Sequence, residues 1–173
     1  MVDNTALPRQ YFNNLVQIGL VVKDLDRSVH GLSELFGIGP FHVIDWPPAG
    51  HDDLQKIYHG QPANFRARMA FADLGPVELE IIQPVSGESI WADFLREHGE
   101  GLHHIRFNVS QVEPVIEYLS RHGIGVSQMG SGLRPGTNWV YFDTQERIGF
   151  IIEILNALPG TDGRTPRPDS AKG

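Results

Sequence analysis

The chain has 173 residues, 40% of them hydrophobic and 20% charged, which fits one globular domain or two small modules sharing a core. A formal net charge of −7 excludes the basic footprint of a nucleic-acid binder and matches an anionic membrane surface poorly. No cysteine is present, so disulfides, thiolate metal ligands and a cysteine nucleophile are excluded. The start of the chain carries no charged-then-apolar leader pattern. No apolar run approaches ~18 residues, the length of a membrane span. A cytoplasmic protein is expected.

Met1–Gln10 is polar, with Pro8, and residues 1–12 read as an N-terminal tail. Leu15–Val22 is aliphatic and β-branched and predicts a strand. Asp24 is a natural N-cap; Leu25, Val29, Leu32 and Phe36 follow at helical spacing, and Gly37 closes that helix. Phe41–Asp45 predicts a short strand. Trp46–Asn64 is long and irregular and contains His51, Asp52, Asp53 and His59. Loops of that length are functional or disordered, and this one is expected to decorate a lid rather than form a second metal cluster. Phe65–Ala72 and Val77–Gln83 predict a hairpin turning at 73–76. A helix at Ser89–His98 lies in the linker, 85–101. Strand His103–Val109, helix Val112–His122 and strand Ile124–Gln128 follow. A glycine-rich loop, Met129–Gly136, leads to strand Asn138–Phe142, and Phe150–Leu155 is the last strand. Residues 157–173, rich in proline and glycine, read as a disordered C-terminal tail because they bury too little apolar area to offset their ordering entropy.

The order strand, helix and three strands occurs twice, at 13–84 and 102–156, within a single domain at 13–156. The sequence repeats with it. Residues 17–29 match 104–116, both copies run on into Leu-Ser and Gly-Ile-Gly, and residues 77–82 match 150–155. The repeat sets Gln17 opposite His104 and Glu80 opposite Glu153. Strand alternation puts Gln17 with Gly19 on one face, His104 with Arg106 and Asn108 on one face, and Glu78 with Glu80. Two such modules side by side would enclose a polar cavity. Each residue alone has an ordinary structural reading: Gln17 as a polar edge position, His104 as a hydrogen-bonded core residue, Glu153 as one half of a buried ion pair with Arg106. The joint placement of four oxygen and nitrogen donors at repeat-related positions favours a metal site.

These residues resemble the vicinal oxygen chelate superfamily, the fold of glyoxalase I, methylmalonyl-CoA epimerase, extradiol dioxygenases and bleomycin-resistance proteins. The resemblance covers residues 13–156. It implies an α+β fold in which two βαβββ modules form a cupped, barrel-like mixed sheet around one divalent metal. The implied ligands are Gln17, Glu80, His104 and Glu153. His104 rather than His103 aligns with the second histidine of the pattern Gly101-Leu102-His103-His104. The donor set Gln, Glu, His, Glu resembles one branch of glyoxalase I, whereas the stretch from Glu80 to His104 is more similar to the epimerase. The epimerase normally has His at the position of Gln17 and Gln at that of Glu80. It also carries a further carboxylate on the third strand, where this chain has Arg66 and Arg68. Gln17 breaks the two-His, one-carboxylate set that iron-dependent dioxygenases need.

One imidazole, two carboxylates and an amide oxygen suit Zn, Co, Ni, Mn or Mg. The resemblance implies an isomerase, epimerase or lyase that moves a proton beside a carbonyl or thioester. Glu153 is the expected base, with Glu80 or Glu78 serving the opposite face. Arg66, Arg68, Arg106, Asn108 and Trp139 are the expected substrate contacts, with Gly130, Gly132 and Gly136 freeing the loop before Trp139. The expected partners are a small molecule, either an acyl-CoA or a glutathione adduct, and a second copy of the chain in a homodimer. The alternatives are a glyoxalase I-like lactoylglutathione lyase and a metal-free, ligand-sequestering protein of the bleomycin-resistance type.

Overall fold

Period-two alternation of apolar residues builds one continuous sheet. The computed structural model describes residues 10–165. Its elements are β1 (Leu15–Val21), α1 (Leu25–Phe36), β2 (His42–Trp46), β3 (Lys56–Tyr58), β4 (Gln61–Pro62), β5 (Arg66–Leu74), β6 (Val77–Ser86), α2 (Ile90–Glu97), β7 (Gly101–Val109), α3 (Glu113–Arg121), β8 (Val126–Ser131), β9 (Asn138–Phe142), α4 (Gln145–Ile148) and β10 (Ile151–Asn156). The ten strands run in the order β2-β5-β6-β1-β7-β10-β9-β8-β3-β4. Each module contributes the same arrangement, β2-β5-β6-β1 and β8-β9-β10-β7, and the two meet where β1 pairs antiparallel with β7. The register repeats as well. Parallel pairing sets Gln17 beside Glu78 and Gly19 beside Glu80 in the first module, and His104 beside Ile151 and Arg106 beside Glu153 in the second. The fold is α+β, a curled sheet with α1 and α3 on its outer face.

Helix α1 begins where the Asp24 carboxylate accepts a hydrogen bond from the Arg27 N–H and ends at Gly37, whose φ of 65° suits a residue without Cβ. Its Leu25, Val29 and Leu32 pack on Ala70, Leu79 and Ile81, outside the cup. α3 covers the second module in the same way through Val115 and Leu119, against Val140, Phe142 and Ile154. The other face of the sheet closes on itself. Trp46 of β2 meets Trp139 of β9 with ring centroids 5.8 Å apart, so strands from the two modules face each other across the interior. α2, capped by the Ser89 hydroxyl, fills the floor of that interior with Ile90, Trp91 and Phe94.

Several boundaries differ from the sequence reading. The second strand is shifted to His42–Trp46, and β8 runs to Ser131, so the glycine-rich loop is shorter than expected. The long segment after Trp46 contains β3 and β4, which extend the sheet beyond β8. Too short to show periodicity, they owe their form to an edge supplied by residues far away. The short helix α4 was not anticipated. The tails differ most. Tyr11 and Phe12 pack on the second-module core, Phe12 edge-on to Phe107 at 5.4 Å. Residues 157–165 are held by polar contacts: Arg106 and Asn108 donate to the carbonyls of Gly163 and Asp162, and Arg164 pairs with Asp73 at 2.7 Å. Composition argued against order there; the order comes from hydrogen bonds to residues distant in sequence. Residues 1–9 and 166–173 of the expected tails lie outside the described residues.

Candidate metal centre

The two modules bring the four repeat-related donors onto one point, the Nε2 atom of His104. Glu80 Oε2 and Glu153 Oε2 each lie 3.2 Å from it, and Gln17 Oε1 lies 3.4 Å away. Glu80, His104 and Glu153 form a group of buried residues whose ligand atoms all lie within 4.8 Å of one another, a cluster that could hold a metal ion. Gln17 and His104 are fully buried, and the two glutamates nearly so. Apart from the shared His104 imidazole, Glu80 Oε2 and Glu153 Oε2 have no hydrogen-bond partner among the described residues. Two buried, convergent carboxylates sharing one imidazole are costly, and a divalent cation between them would answer both.

Local sequence explains how the donors reach this point. β1 and β7 have an irregular register between Gly19–His104 and Leu20–Leu102. This bulge lets consecutive residues His103 and His104 both lie on the cup side, with their Nδ1 atoms 3.0 Å apart. The His104 ring lies directly over Gly19, where a Cβ would be 1.9 Å from His104 Cε1. Only glycine leaves that space. Gln17 is oriented from the other side, its amide N–H donating to Glu78 Oε1 at 2.8 Å. That bond turns the amide oxygen toward His104.

Electrostatics follow from burial. Burial alone works against charge on His104, but hydrogen bonds and attraction from Glu153 and Glu80 outweigh it and lift the imidazole to about 9. Its neighbour His103 goes the other way: burial, reinforced by His104, holds it well below the usual histidine range. His103 is therefore neutral, and its Nδ1 accepts from the Nδ1–H of His104, leaving His104 Nε2 aimed at the carboxylates. Burial raises Glu78, opposed by Arg106. Burial also pushes the Tyr141 phenol well above its ordinary value.

Beside the donors lies a cavity of about 90 Å³. Its apolar wall includes Trp46, Met69, Phe71, Trp91, Trp139 and Tyr141, and Glu80, Glu153 and Arg106 also reach it. Of the expected substrate contacts, Trp139 and Arg106 line it, while Asn108 lies next to Arg106 under residues 162–163. Arg66 and Arg68 do not line it. They alternate with the inward-facing Ala67 and Met69. Arg68 pairs with Asp26 of α1 at 2.9 Å, and Arg66 pairs with Asp52 at 2.9 Å. The Arg106–Glu153 ion pair, the structural alternative to a metal site, is not formed among the described residues; Arg106 lies 3.7 Å from Glu78 instead. Of the long segment at 46–64, only Trp46 lines the cavity in this structure. His51, Asp52, Asp53 and His59 form no metal-competent group among the described residues.

Sequence reasoning missed Tyr141, Trp46, Trp91 and the supporting role of His103. Tyr141 was within reach, because it shares a strand face with Trp139. Trp91 was not, since nothing local shows that a linker helix inserts into the cup.

The comparisons agree with this architecture. A family described as the glyoxalase/bleomycin resistance protein/dioxygenase superfamily matches residues 16–142. An uncharacterised Bacillus subtilis (strain 168) protein, YqjC, is 28% identical over 143 residues, covering 82% of this chain and 91% of its own. Among solved structures, a hypothetical protein of Bacillus halodurans C-125 superposes with a TM-score of 0.63 at 21% identity, covering 85% of this chain and 96% of its own. Methylmalonyl-CoA epimerase of Mycobacterium tuberculosis superposes at 0.60 and 18%, covering 87% and 91%. A methylmalonyl-CoA epimerase bound to methylmalonyl-CoA and ammonium gives 0.58 at 20%, covering 84% and 95%. At these identities the solved structures speak for the fold, and the family match extends over most of the repeat: the chain belongs to the glyoxalase/bleomycin resistance protein/dioxygenase superfamily.

Proposed function

We propose that this protein is a metal-dependent enzyme that moves a proton beside a carbonyl or thioester, in the manner of methylmalonyl-CoA epimerase. The observation that carries the reading is the convergence of Glu80, Glu153 and Gln17 on His104 Nε2. Charge supports it. Three carboxylates, Glu78, Glu80 and Glu153, are buried beside one guanidinium, Arg106. A dication bound by a neutral His104 would restore neutrality. A bound ion of the Zn, Co, Ni, Mn or Mg type would supply Lewis acidity toward a substrate carbonyl oxygen.

The chain's own residues do the rest. His104 and Gln17 would be ligands, held in orientation by His103 and Glu78. Glu80 and Glu153 occupy repeat-related positions and approach from opposite modules. They would address the two faces of a substrate carbon, the arrangement that inversion at that carbon needs. Glu153 is the proposed base, with Glu80 returning the proton and Glu78 in reserve beside Gln17. The aromatic wall would keep water from the reacting carbon. Acyl-CoA is the proposed substrate type and a homodimer the proposed assembly. Gln17 favours a second reading, a glyoxalase I-like lyase acting on a glutathione adduct. The dry aromatic wall would equally serve a metal-free binder.

Equilibrium dialysis against the five metals should load about one ion per chain. Methylmalonyl-CoA and a glutathione hemithioacetal would then be assayed for α-proton exchange in deuterated water. Glu153→Gln should keep the fold and lose at least ~10²-fold in exchange rate. Wild-type rates from that variant would remove Glu153 from the mechanism, and persistent failure to load metal would leave the binder.

A further inference from the structure

The polar end of the cup is covered by the chain itself. Beyond the metal-competent group, β7 continues with Arg106 and Asn108, both side chains turned inward. Each finds its partner in the segment that follows β10. Asn108 Nδ2 donates to the Asp162 carbonyl at 2.6 Å, and Arg106 Nη2 donates to the Gly163 carbonyl at 3.0 Å. Thr165 donates its hydroxyl hydrogen to Glu78 Oε1 at 3.2 Å. Arg164 latches the segment by pairing with Asp73 at 2.7 Å and donating to the Gly75 carbonyl at 2.9 Å. Gly163 itself is buried, with φ near 70°, and a Cβ there would lie 2.3 Å from Asn108 Nδ2.

Two features separate this cover from an ordinary packed terminus. Its contacts to the cup are polar and made largely through backbone carbonyls, so little apolar burial holds it down. It also leaves little room. About 90 Å³ remains beside the donor group, less than the ~150 Å³ cavity that accommodates one benzene. Leu158, Thr161, Gly163, Arg164 and Thr165 themselves line that space, so the segment occupies one side of it.

We infer that residues 157–165 form a strap lying on a substrate subsite, and that its two consecutive carbonyls and one hydroxyl stand where an amide-bearing arm of the substrate would bind. Arg106 and Asn108 are the donors of that subsite, and Glu78 is its acceptor. The ligand class follows from what the strap supplies: acceptor oxygens about one peptide unit apart, with a donor close by. Such a ligand has a metal-seeking head and one or more amides behind it. Binding it costs the strap its three contacts to the cup and loosens the two at the latch, so ligand entry and strap release are coupled. The ligand part of this inference rests on the metal reading above; the displacement of the strap is observable independently of turnover.

The test uses the full chain loaded with Co(II) and two bidentate hydroxamate probes. Acetohydroxamate reaches only the metal, whereas hippurohydroxamate carries an amide and an aromatic ring beyond it. Backbone amide exchange of residues 157–165 should rise with hippurohydroxamate and stay unchanged with acetohydroxamate. Gly163→Ala and Arg164→Ala, which loosen the strap from opposite ends, should each tighten hippurohydroxamate about tenfold, while Co(II) and acetohydroxamate affinities stay within about twofold. If the larger probe instead protects residues 157–165, or if both variants leave its affinity unchanged or weaker, the strap is a fixed wall and the inference is overturned. If Co(II) fails to bind the wild-type chain, the metal reading itself falls and the subsite loses its head group.

Discussion

The two modules share one register but use it differently. Parallel pairing places Glu80 and Glu153 at equivalent points, and the structure makes them near-equivalent partners of one imidazole, each 3.2 Å from His104 Nε2. Around that symmetric pair the modules diverge. Where the first has Gly19, the second has Arg106; where the first has Glu78, the second has Ile151. The small residue opens space for the His104 ring, and its counterpart fills the equivalent space with a cation that faces Glu78. A symmetric pair of acids thus sits between one polar end and one aromatic wall. The difference teaches that duplication can supply paired carboxylates, while asymmetric substitution beside them decides which side takes the imidazole and which takes the buried guanidinium.

The comparison breaks most severely at Gly19. Gly19→Ala should place its Cβ inside the His104 ring and destabilise the chain by about 3 kcal/mol, a typical overpacking cost, while lowering metal affinity at least ~100-fold. Gly125→Ala, with nothing within 4 Å of its Cβ, is the matched control and should be nearly silent. Chemical denaturation and Co(II) titration measure both. Wild-type metal affinity in Gly19→Ala would show that His104 does not need to cross β1.

A smaller effect concerns the proton that His104 holds when no metal is bound. Its pKa is raised from 6.5 to about 9, so the folded state binds the proton more tightly than the unfolded state. The resulting stability is fully present below pH 6.5 and is lost as pH rises through about 9. Glu78, also raised, contributes with the same sign at lower pH. In the presence of a chelator, stability should therefore fall between pH 6.5 and 9 by an amount on the order of 3 kcal/mol. With Zn(II) bound, the imidazole must already be neutral and this loss should disappear. Urea denaturation across that range checks it, and a flat profile with chelator would reject a charged His104.

The smallest effect is expected where the sequence reading placed substrate contacts and the structure places an outward ion pair. Arg68→Ala removes the pairing with Asp26, whose side chain is 72% exposed. It should change stability little, as for an exposed ion pair, and leave metal binding and turnover unchanged. A large loss of turnover would return Arg68 to the site.

Much of the fold was legible because it is written in local periodicity. Asp24 and Gly37 bound α1 as their capping chemistry requires, and the alternation in β7 assigned His104 and Arg106 to one face. The repeat did more than either, since matching registers bring residues 80 and 153 together whatever the loops do. Arg66 and Arg68 show the limit. Their shared face was readable, but which face pointed inward depended on Ala67 and Met69 meeting the aromatic floor.

By itself, then, the sequence determined the paired modules, the strand phases and the repeat-related placement of Gln17, Glu80, His104 and Glu153, because each depends on spacing along the chain. Tertiary structure alone decided the bulge that turns both His103 and His104 inward, the Trp91 floor and the seating of residues 157–165 over the cup. Those features are stabilised by partners far apart in sequence, so no local pattern encodes them. Gly19 and Gly163 make the point most simply: each is an unremarkable glycine until another strand's side chain arrives where its Cβ would have been.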